Sequence, residues 1–547
     1  MRFEMVLGLL AVLAWRPAAF ASAASPLDRP PPGRYFKLRA AVHGKAPTFK
    51  SGRPIVGTTY FYWYDVYTGA HLRNPDGSDA LTTHPPESFM ADLSYKSPDW
   101  HYAQLRDMAE ANLDFFMPVF WGVPGQYDEW SFAGLPPLVQ AHDRMTAGHK
   151  EDSTVPRPPQ IGLFYDTSTL RTNVLPDGRR NVRIDLTTLR GREWFYATIR
   201  DFFSMIPPQK WARVDGRPII FLYAASFAEK VDDRLFDDAR ERFRKDFATD
   251  FFLVRHADWP GRSDAWYRWG GALGLTLGDV VAGLGPGYDH SAVPGREALV
   301  VPRRGGAFYR EQWEKLLRMQ PARRPWIVHV ETWNEWHEGT DIARSQDWGV
   351  RYIEMTARYA RLFREGTQVL PEGPYVNADM VRWSLQHTAG LTLRPSAGDG
   401  HWKTTTIDGR RCATTVSGPD SLPARFLYFE IDDSFMFDRM DSVAEVSIIL
   451  RDDDGCDAIR IEYDSGDRAS SVFEGAFRPT RDIPLGKTDT WRMISLHLPD
   501  VRFCNRTNGA DFRIAAVGGK QELSVAEVMV RRLPGKLVHP ESQPVAK

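Results

Sequence analysis

The sequence predicts an α/β protein with a (β/α)8 TIM-like barrel, followed by a C-terminal all-β sandwich domain of the jelly-roll kind. Short apolar segments alternate with amphipathic helical segments over roughly 320 residues, as in a parallel sheet covered by helices. Aromatic and ionisable residues recur directly after the apolar segments. After Glu365 the helical periods nearly vanish and strands alternate with polar turns, which predicts the second domain.

A chain of 547 residues is too long for one hydrophobic core, so two domains are expected. The formal net charge of −1 gives no basis for a nucleic acid or an anionic membrane as partner. The predicted divisions are a signal peptide 1–23, a disordered lead-in 24–47, a catalytic barrel 48–368, a linker 369–377, a β-sandwich 378–535 and a disordered tail 536–547.

The N-terminus has the pattern of an export signal. Arg2 precedes an apolar run, and Ala19, Ala21 and Ala23 offer Ala-x-Ala cleavage sites. The apolar run is too short to span a bilayer, and no later segment is long and apolar enough. We therefore expect a secreted or periplasmic protein without a membrane span.

The barrel prediction rests on seven apolar segments. The predicted strands are 54–63, 115–121, 161–165, 218–223, 251–254, 280–284 and 326–330. The predicted helices are 98–112, 138–148, 192–205, 232–247, 307–319 and 348–363. No eighth strand is assigned. No GxGxxG follows the first strand, which argues against a dinucleotide fold. Active sites of (β/α)8 barrels lie in the loops that follow the strands, so the residues there are the candidates.

One octapeptide after the last of these strands, Trp333 to Thr340 (WNEWHEGT), contains two glutamates three residues apart. In a helical turn, Glu335 and Glu338 share one face, with Cβ atoms about 5–6 Å apart. Glycosidic cleavage uses two carboxyl groups, close spacing is typical of retention, and mutual repulsion raises one pKa. A bare ExxE is more often a solvated helix start. The surrounding tryptophan, asparagine and histidine favour the catalytic interpretation.

Aromatic planes and polar side chains at the strand ends are the groups that hold a sugar. Trp63 and Trp121 are about equally compatible with core packing and with sugar contact, and the neighbours of Trp336 favour sugar contact somewhat for that residue. The predicted substrate-binding residues are Tyr60, Tyr62, Trp63, Tyr64, Trp121, Asp166, Tyr288, Asp289, Trp333, Asn334, Trp336 and His337.

No cofactor and no metal are predicted. His329 and Glu331 precede the octapeptide, but the HExxH order of a zinc site is absent. Three aspartates at 452–454 are compatible with calcium, although a solvated turn is favoured. The three cysteines allow either one disulfide and a thiol or three separate thiols, and they are Cys412, Cys456 and Cys504.

The octapeptide resembles the signature of glycoside hydrolase family 99, the endo-α-mannosidases and endo-α-mannanases. Gly285 to Asp289 (GPGYD) is similar to that family's glycine-tyrosine loop, and Tyr60 to Tyr64 (YFYWY) to its first-strand aromatic run. The resemblance covers most of residues 54–345. It implies that Glu335 acts as base on the substrate's own 2-hydroxyl to form a 1,2-anhydro sugar. Glu338 would then protonate the leaving oxygen and later activate water, with net retention and no metal.

The chain departs from the family pattern beside this signature. Tyr165-Asp166 and Tyr223-Ala224 end the third and fourth predicted strands differently, and His329 and Glu331 replace small or uncharged residues. The expected protein is an exported retaining endo-glycosidase acting on α-linked polysaccharide, with α-mannosyl favoured. A glycosidase acting on α-glucan or another polymer, and a non-catalytic carbohydrate-binding protein, are the alternatives. The C-terminal domain is expected to bind carbohydrate or to buttress the barrel, and the oligomeric state is open.

Overall fold

The computed structural model of the protein describes residues 25–44, 46–175, 178–297, 299–394, 399–416, 425–438, 442–467, 469–470 and 473–533. The predicted signal peptide 1–23 and the predicted tail 536–547 lie outside these ranges. Within them, no helix has the length and apolar character needed to cross a membrane.

Eight parallel strands form a nearly closed barrel, which confirms the parallel sheet predicted from the sequence. In chain order they are β1 (Ile55–Tyr60), β2 (Phe115–Phe120), β3 (Leu163–Tyr165), β4 (Arg217–Leu222), β5 (Phe252–His256), β6 (Ala265–Tyr267), β7 (Val281–Leu284) and β8 (Ile327–Val330). Each strand pairs with the next in chain order, apart from β6 and β7, which do not pair with each other. The last strand, β8, pairs with β1. Five shorter strands accompany the barrel, at Gln160–Ile161, Arg213–Val214, Thr276–Leu277, Tyr288–Asp289 and Val300–Val301.

The barrel carries helices on its outside. They are α1 (Pro98–Glu110), α2 (Trp130–Ala133), α3 (Leu135–Glu151), α4 (Leu189–Met205), α5 (Leu235–Phe247), α6 (Ala307–Arg318) and α7 (Arg351–Arg364). Two of these helices begin at a capping side chain. Ser97 caps the N-terminus of α1, where Pro98 is the first helical residue, and Thr188 caps the N-terminus of α4. Short 3-10 helices lie at Pro26–Asp28, Ala40–His43, Glu87–Phe89, Thr167–Leu170, Pro208–Lys210, Ala225–Phe227, Gly271–Leu273, Arg304–Gly306 and Phe473–Gly475.

The strand that the sequence analysis missed is β6. It has three residues and follows β5 after a loop that contains no helix. A segment this short, bounded by proline, glycine and charged residues, has no periodic signal of its own. The strand before the octapeptide is therefore the eighth parallel strand in chain order rather than the seventh.

The predicted disordered lead-in is packed on the barrel, contrary to expectation. The backbone N–H of Tyr35 donates to the Ser204 carbonyl, and that of Leu38 donates to the Asp246 carbonyl. A Cβ on Gly33 would lie 2.1 Å from the Ser204 carbonyl oxygen, so the segment passes α4 at backbone contact distance. Its prolines and basic residues suggested disorder, but these contacts with α4 and α5 order residues 25–44.

After residue 377 the chain forms two antiparallel sheets. One contains Met380–Ser384, Thr388–Ala389, Trp402–Ile407, Arg410–Thr415, Val443–Asp452, Thr490–Leu498 and Ser524–Leu533. The other contains Leu391–Arg394, Phe426–Ile431, Ala458–Tyr463, Arg478–Pro479, Ile483–Pro484 and Phe512–Val517. Apolar residues of both sheets belong to one buried cluster. The antiparallel character is confirmed, and the jelly-roll sandwich stays a prediction.

The three cysteines are separate buried thiols. The aspartates at 452–454 are bound by protein groups: Asp452 accepts from the backbone N–H groups of Gly486 and Lys487, and Asp454 pairs with Lys520. These partners fit the turn interpretation of that segment.

Candidate active site

The octapeptide lies in the loop after β8, at the edge of the barrel where the parallel strands end. Thr332 N–H donates to the Thr340 carbonyl, so the loop closes on itself, and Trp333 N–H continues the pairing to the Thr59 carbonyl of β1. The buried Arg303 holds the far side of the loop by donating to the carbonyl oxygens of Gly339 and Asp341. Residues 336–339 form turns rather than the helical turn expected from the ExxE spacing.

Much of the predicted sugar-binding set is buried scaffolding instead. Asn334 makes two hydrogen bonds with the Phe61 backbone, of 2.8 and 2.7 Å. The Trp333 indole donates to Gln104, and the Tyr64 hydroxyl donates to the Asn334 carbonyl while accepting from Trp336 N–H. These bonds fasten the octapeptide to the segment after β1.

The other two tyrosines of the aromatic run are also turned away from the site. The Tyr60 hydroxyl contacts His101, and the Tyr62 hydroxyl donates to the Ser131 carbonyl. Tyr60, Tyr62, Tyr64, Trp333, Asn334 and Trp336 are fully buried, and none of them lines the cavity described next. The structure therefore places these six predicted substrate-binding residues outside the cavity. Hydrogen bonds hold five of them behind the loop, and the Trp336 ring packs against that of Tyr64 with centroids 4.7 Å apart.

A cavity of about 470 Å³ opens at this edge of the barrel. Its walls combine aromatic rings with charged groups and an amide, a mixture that small-molecule binding sites have. The lining residues are Phe61, Trp63, His71, Arg73, Asn74, Ala80, Phe164, Asp166, Tyr223, Trp269, Val293, Arg296, Glu335, His337 and Glu338. Of the predicted site residues, the cavity thus brings together Trp63, Asp166, Glu335, His337 and Glu338.

Glu335 and His337 form a close pair in the cavity wall. Glu335 Oε1 lies 2.6 Å from His337 Nδ1, and His337 Nε2 lies 2.8 Å from the His71 carbonyl oxygen. Burial raises the pKa of Glu335, with a further contribution from the charge of Glu338, while His337 opposes the rise. Burial disfavours a charged His337, but the charge of Glu335 and the hydrogen bond to it outweigh burial and raise the pKa of His337.

Glu338 is held differently from Glu335. Its Oε1 lies 2.7 Å from Arg296 Nη1, and its backbone carbonyl accepts from Asp289 N–H. Tyr288 lies beside this ion pair: burial and the charge of Glu338 raise the pKa of its hydroxyl to about 12. The Asp289 carboxylate instead accepts from Ser291 N–H in its own turn. The two glutamates of the octapeptide therefore have distinct partners, one a histidine and one an arginine.

Trp121 and Asp166 directly follow the neighbouring strands β2 and β3. The Trp121 indole N–H donates to Asp166 Oδ2 at 2.6 Å, and Ser168 N–H donates to the other carboxylate oxygen. Burial raises the pKa of Asp166 against these donors. Trp121 lines an adjoining cavity of about 270 Å³, so it borders the main cavity through Asp166 rather than lining it.

Several lining residues were not predicted from the sequence. His71 stacks on Trp63 with ring centroids 4.3 Å apart, and burial followed by the charge of His337 lowers the pKa of His71 to about 4. Arg296 and Trp269 also belong to loops without a motif. Two of the missed residues carried a signal: Tyr223 directly follows the fourth strand, and Phe61 belongs to the aromatic run YFYWY. Among the described residues, no three His, Cys, Asp or Glu side chains converge as metal ligands.

The fold and the site together define an α/β-barrel protein with two differently paired glutamates at the mouth of the barrel. The chain belongs to the family described as Domain of unknown function (DUF5010), whose model matches residues 52–374. No curated protein matches the chain.

Among solved structures, similarity is distant. The GH99 endo-alpha-mannosidase from Bacteroides thetaiotaomicron is 15% identical with a TM-score of 0.40, over 57% of this chain and 98% of that chain. Its complex with BIS-TRIS-propane is 16% identical with a TM-score of 0.38, over the same shares. A CBM22 xylan-binding domain from Paenibacillus barcinonensis is 12% identical with a TM-score of 0.19, over 31% of this chain and all of that chain.

Proposed function

We propose that this protein is an exported, retaining endo-glycosidase that cleaves an α-linked polysaccharide, with α-mannosyl polymers as the favoured class. The observation that carries the proposal is the state of Glu335 in the cavity wall. Its Oε1 is paired with His337, whereas no hydrogen-bond partner lies at its buried Oε2 within the described part of the chain. A buried acceptor without a donor costs free energy, and a sugar hydroxyl at the cavity wall would supply that donor. The resemblance of the octapeptide to the family 99 signature supports the same reaction.

In the first step, Glu335 acts as the base. Its carboxylate takes the proton of the substrate's 2-hydroxyl, and the freed oxygen attacks C1 to form a 1,2-anhydro sugar. Burial raises the pKa of Glu335, which makes its ionised form a stronger base. His337 balances the charge of that ionised form, because it lies against the same carboxylate.

Glu338 acts on the leaving group and then on water. It gives a proton to the departing glycosidic oxygen, then takes one from the water that opens the anhydro ring at C1, while Glu335 returns its proton to O2. The two inversions at C1 give net retention. Before the first transfer Glu338 must separate from Arg296 and take up a proton from solvent, and the proton that it later removes from water restores this state. The Arg296 side chain is 50% exposed, so solvent or a bound chain can take the place of Glu338 beside it.

A second candidate is a carbohydrate-binding protein that uses the same cavity without turnover. The observation that favours it is the same ion pair, because Arg296 occupies the carboxylate that the reaction needs as a proton donor. The aromatic wall and the polar rim of the cavity would serve binding alone equally well.

Purified protein and the variants Glu335→Gln and Glu338→Gln, incubated with a panel of α-mannans and α-glucans, separate these candidates. Glu354→Gln, an exposed carboxylate on α7 away from the cavity, is the matched control. Oligosaccharides released by wild type and by the control, but not by the two cavity variants, support the enzyme. Binding without release by wild type supports the second candidate. Release of oligosaccharides by both cavity variants at the wild-type rate would contradict the assignment of Glu335 and Glu338 as catalytic residues.

Product analysis tests the finer claims. Proton NMR of the first products gives the anomeric configuration, for which we expect retention. A rapid fall in polymer length with little free monosaccharide is expected for internal cleavage. Export is tested by the N-terminal sequence of the protein recovered from the extracellular or periplasmic fraction, which should begin after an alanine in the segment 19–23.

A further inference from the structure

One wall of the cavity is an aromatic cluster outside the octapeptide. Trp269 lies with its ring centroid 5.5 Å from that of Phe164 and 5.4 Å from that of Tyr223, and all three line the cavity. Faces of aromatic rings pack well on the apolar faces of sugars. Trp269 is the member of this cluster that belongs to a loop, because it lies between β6 and the 3-10 helix Gly271–Leu273.

The loop is fastened from the inside by Glu331, the first residue after β8. Its buried Oε2 accepts the backbone N–H groups of Gly270 and Gly271, each at 2.8 Å. These two donors directly follow Trp269 and begin the 3-10 helix. Gly270 has a φ of 122°, which side chains other than glycine rarely adopt, and a Cβ on Gly271 would lie 2.5 Å from Leu284 N. The loop therefore lies against β7 at the point where Glu331 holds it.

The second oxygen of Glu331, Oε1, has no hydrogen-bond partner among the described residues. It lies 3.7 Å from His329 Nδ1, too far for a hydrogen bond. Burial raises the pKa of Glu331 to about 8, so the carboxyl is largely uncharged at neutral pH. An uncharged carboxyl keeps an oxygen that accepts both N–H groups, and this acceptor is what the loop uses.

The same loop is fastened from the outside by the C-terminal domain. The Trp266 indole N–H donates to Glu474 at 3.2 Å, and the Arg268 guanidinium lies 4.3 Å from the centroid of the Phe473 ring. Arg268 directly precedes Trp269 in the chain, and Trp266 lies in β6 just before it. The contacts on either side of Trp269 therefore come from different parts of the protein, Glu331 of the barrel and the 473–475 turn of the C-terminal domain.

We propose that Trp269 is a sugar-contacting residue of the cavity, and that Glu331 is a positioning residue that sets its place by accepting the N–H groups of Gly270 and Gly271. The 473–475 turn supports the same loop, so the C-terminal domain contributes to the shape of the active site. The sugar contact rests on the function proposed above, whereas the positioning by Glu331 does not.

The test compares Glu331→Gln with Glu331→Leu. Glutamine keeps an amide oxygen that accepts both N–H groups, and leucine has similar size without an acceptor. On whichever α-mannan or α-glucan wild type cleaves, we expect Gln to stay within about threefold of wild type and Leu to raise KM about tenfold or more with little change in kcat. Equal losses in both variants, or a wild-type KM in Leu, would overturn the positioning role.

A double-mutant cycle with Trp269→Ala tests whether Glu331 acts through the indole. If it does, Glu331→Leu adds less than about twofold to the KM of Trp269→Ala, because the position of a missing ring no longer matters. Independent, multiplicative effects would contradict the proposal. Trp269→Ala with an unchanged KM would contradict the sugar contact.

Crystal structures of the two Glu331 variants give a readout that needs no substrate. The indole of Trp269 should stay against Phe164 and Tyr223 in the Gln variant and move in the Leu variant. A panel without cleavage would reject the proposed glycosidase, whereas an unmoved indole in the Leu variant would reject this inference. If Glu331→Leu does not fold, Phe473→Ala, at a side chain 37% exposed, tests the outer contact. It should displace the indole, and an unmoved indole would remove the C-terminal domain from the proposal.

Discussion

His337 Nδ1 lies 2.6 Å from Glu335 Oε1, and its other ring nitrogen lies 2.8 Å from the carbonyl oxygen of His71. A carbonyl oxygen only accepts hydrogen bonds, so Nε2 carries a hydrogen. A hydrogen bond between Nδ1 and Oε1 needs one further proton, carried by either atom. Glu335 and His337 consequently titrate as a coupled pair, and the protonation of Glu335, the proposed base, is inseparable from that of the histidine.

Replacing His337 should change the pH dependence of the reaction. His337 opposes the burial that raises the pKa of Glu335, so His337→Gln should raise that pKa further. The acid limb of the kcat/KM profile is expected to move to higher pH by about one unit or more, with activity recovering in alkaline buffer. The control is His84→Gln, which changes a histidine outside the cavity. An acid limb that does not move would show that the pair does not set the protonation of the base.

Glu331 should make the stability of the fold fall as pH rises. Burial raises its folded-state pKa to about 8, whereas an unfolded glutamate loses its proton near its ordinary value of 4.5. Between these values the folded state binds more protons than the unfolded state, so the free energy of unfolding decreases with increasing pH. Stability contributed by this group is complete below about pH 4.5 and is lost as the pH passes 8.

The variant Glu331→Gln removes this titration. The difference in free energy of unfolding in urea between this variant and wild type should increase between pH 5 and pH 9. Each unit by which the folded-state pKa of Glu331 exceeds its unfolded-state pKa contributes about 1.4 kcal/mol to that increase. Glu354→Gln, on the exposed face of α7, should follow wild type at every pH. A constant difference between Glu331→Gln and wild type across this range would contradict the raised pKa.

The Tyr64 hydroxyl should stabilise the loop that contains the octapeptide. It donates to the Asn334 carbonyl at 3.0 Å and accepts from Trp336 N–H at 3.1 Å. In Tyr64→Phe these two buried backbone groups keep only the 3.0 Å hydrogen bond that Trp336 N–H donates to the Asn334 carbonyl. We expect a loss of about 0.5–1.5 kcal/mol in the free energy of unfolding. Tyr67→Phe removes an exposed hydroxyl bound to the Ala91 carbonyl and should have little effect. Equal losses in the two variants would reject a special role for Tyr64.

The buried ion pair of Arg303 and Asp341 should be essential to the loop. Arg303 Nη2 lies 2.7 Å from Asp341 Oδ1, and both side chains are almost fully buried. Asp341→Ala leaves the guanidinium buried without its charge partner, for an expected loss of about 3–5 kcal/mol in unfolding experiments. The surface pair of Arg304 and Glu311 provides the matched control, because Glu311→Gln should cost less than about 1 kcal/mol. Comparable losses at the two sites would contradict this difference in burial.

The barrel was predictable because its strands are apolar runs bounded by turn residues, and this signal is local. The strand β6 was not predicted, because three residues with no helix before them are too few to show a hydrophobic periodicity. The two glutamates were predictable as a site because their neighbours were chemically unusual. Their partners were not, since Arg296 reaches Glu338 across 42 residues of chain and Glu331 meets Gly270 across 61.

The aromatic run YFYWY shows how far the site could be predicted from the sequence. Its composition correctly indicated a site nearby, but only the folded barrel turns Phe61 and Trp63 into the cavity and Tyr60, Tyr62 and Tyr64 into the packing behind the loop. Sequence alone determined the parallel strands, the change to antiparallel sheets and the position of the glutamates, because these depend on residues close together in the chain. Tertiary structure alone decided which ring faces the cavity and which partner each carboxylate has, because those contacts join loops that meet only when the barrel closes.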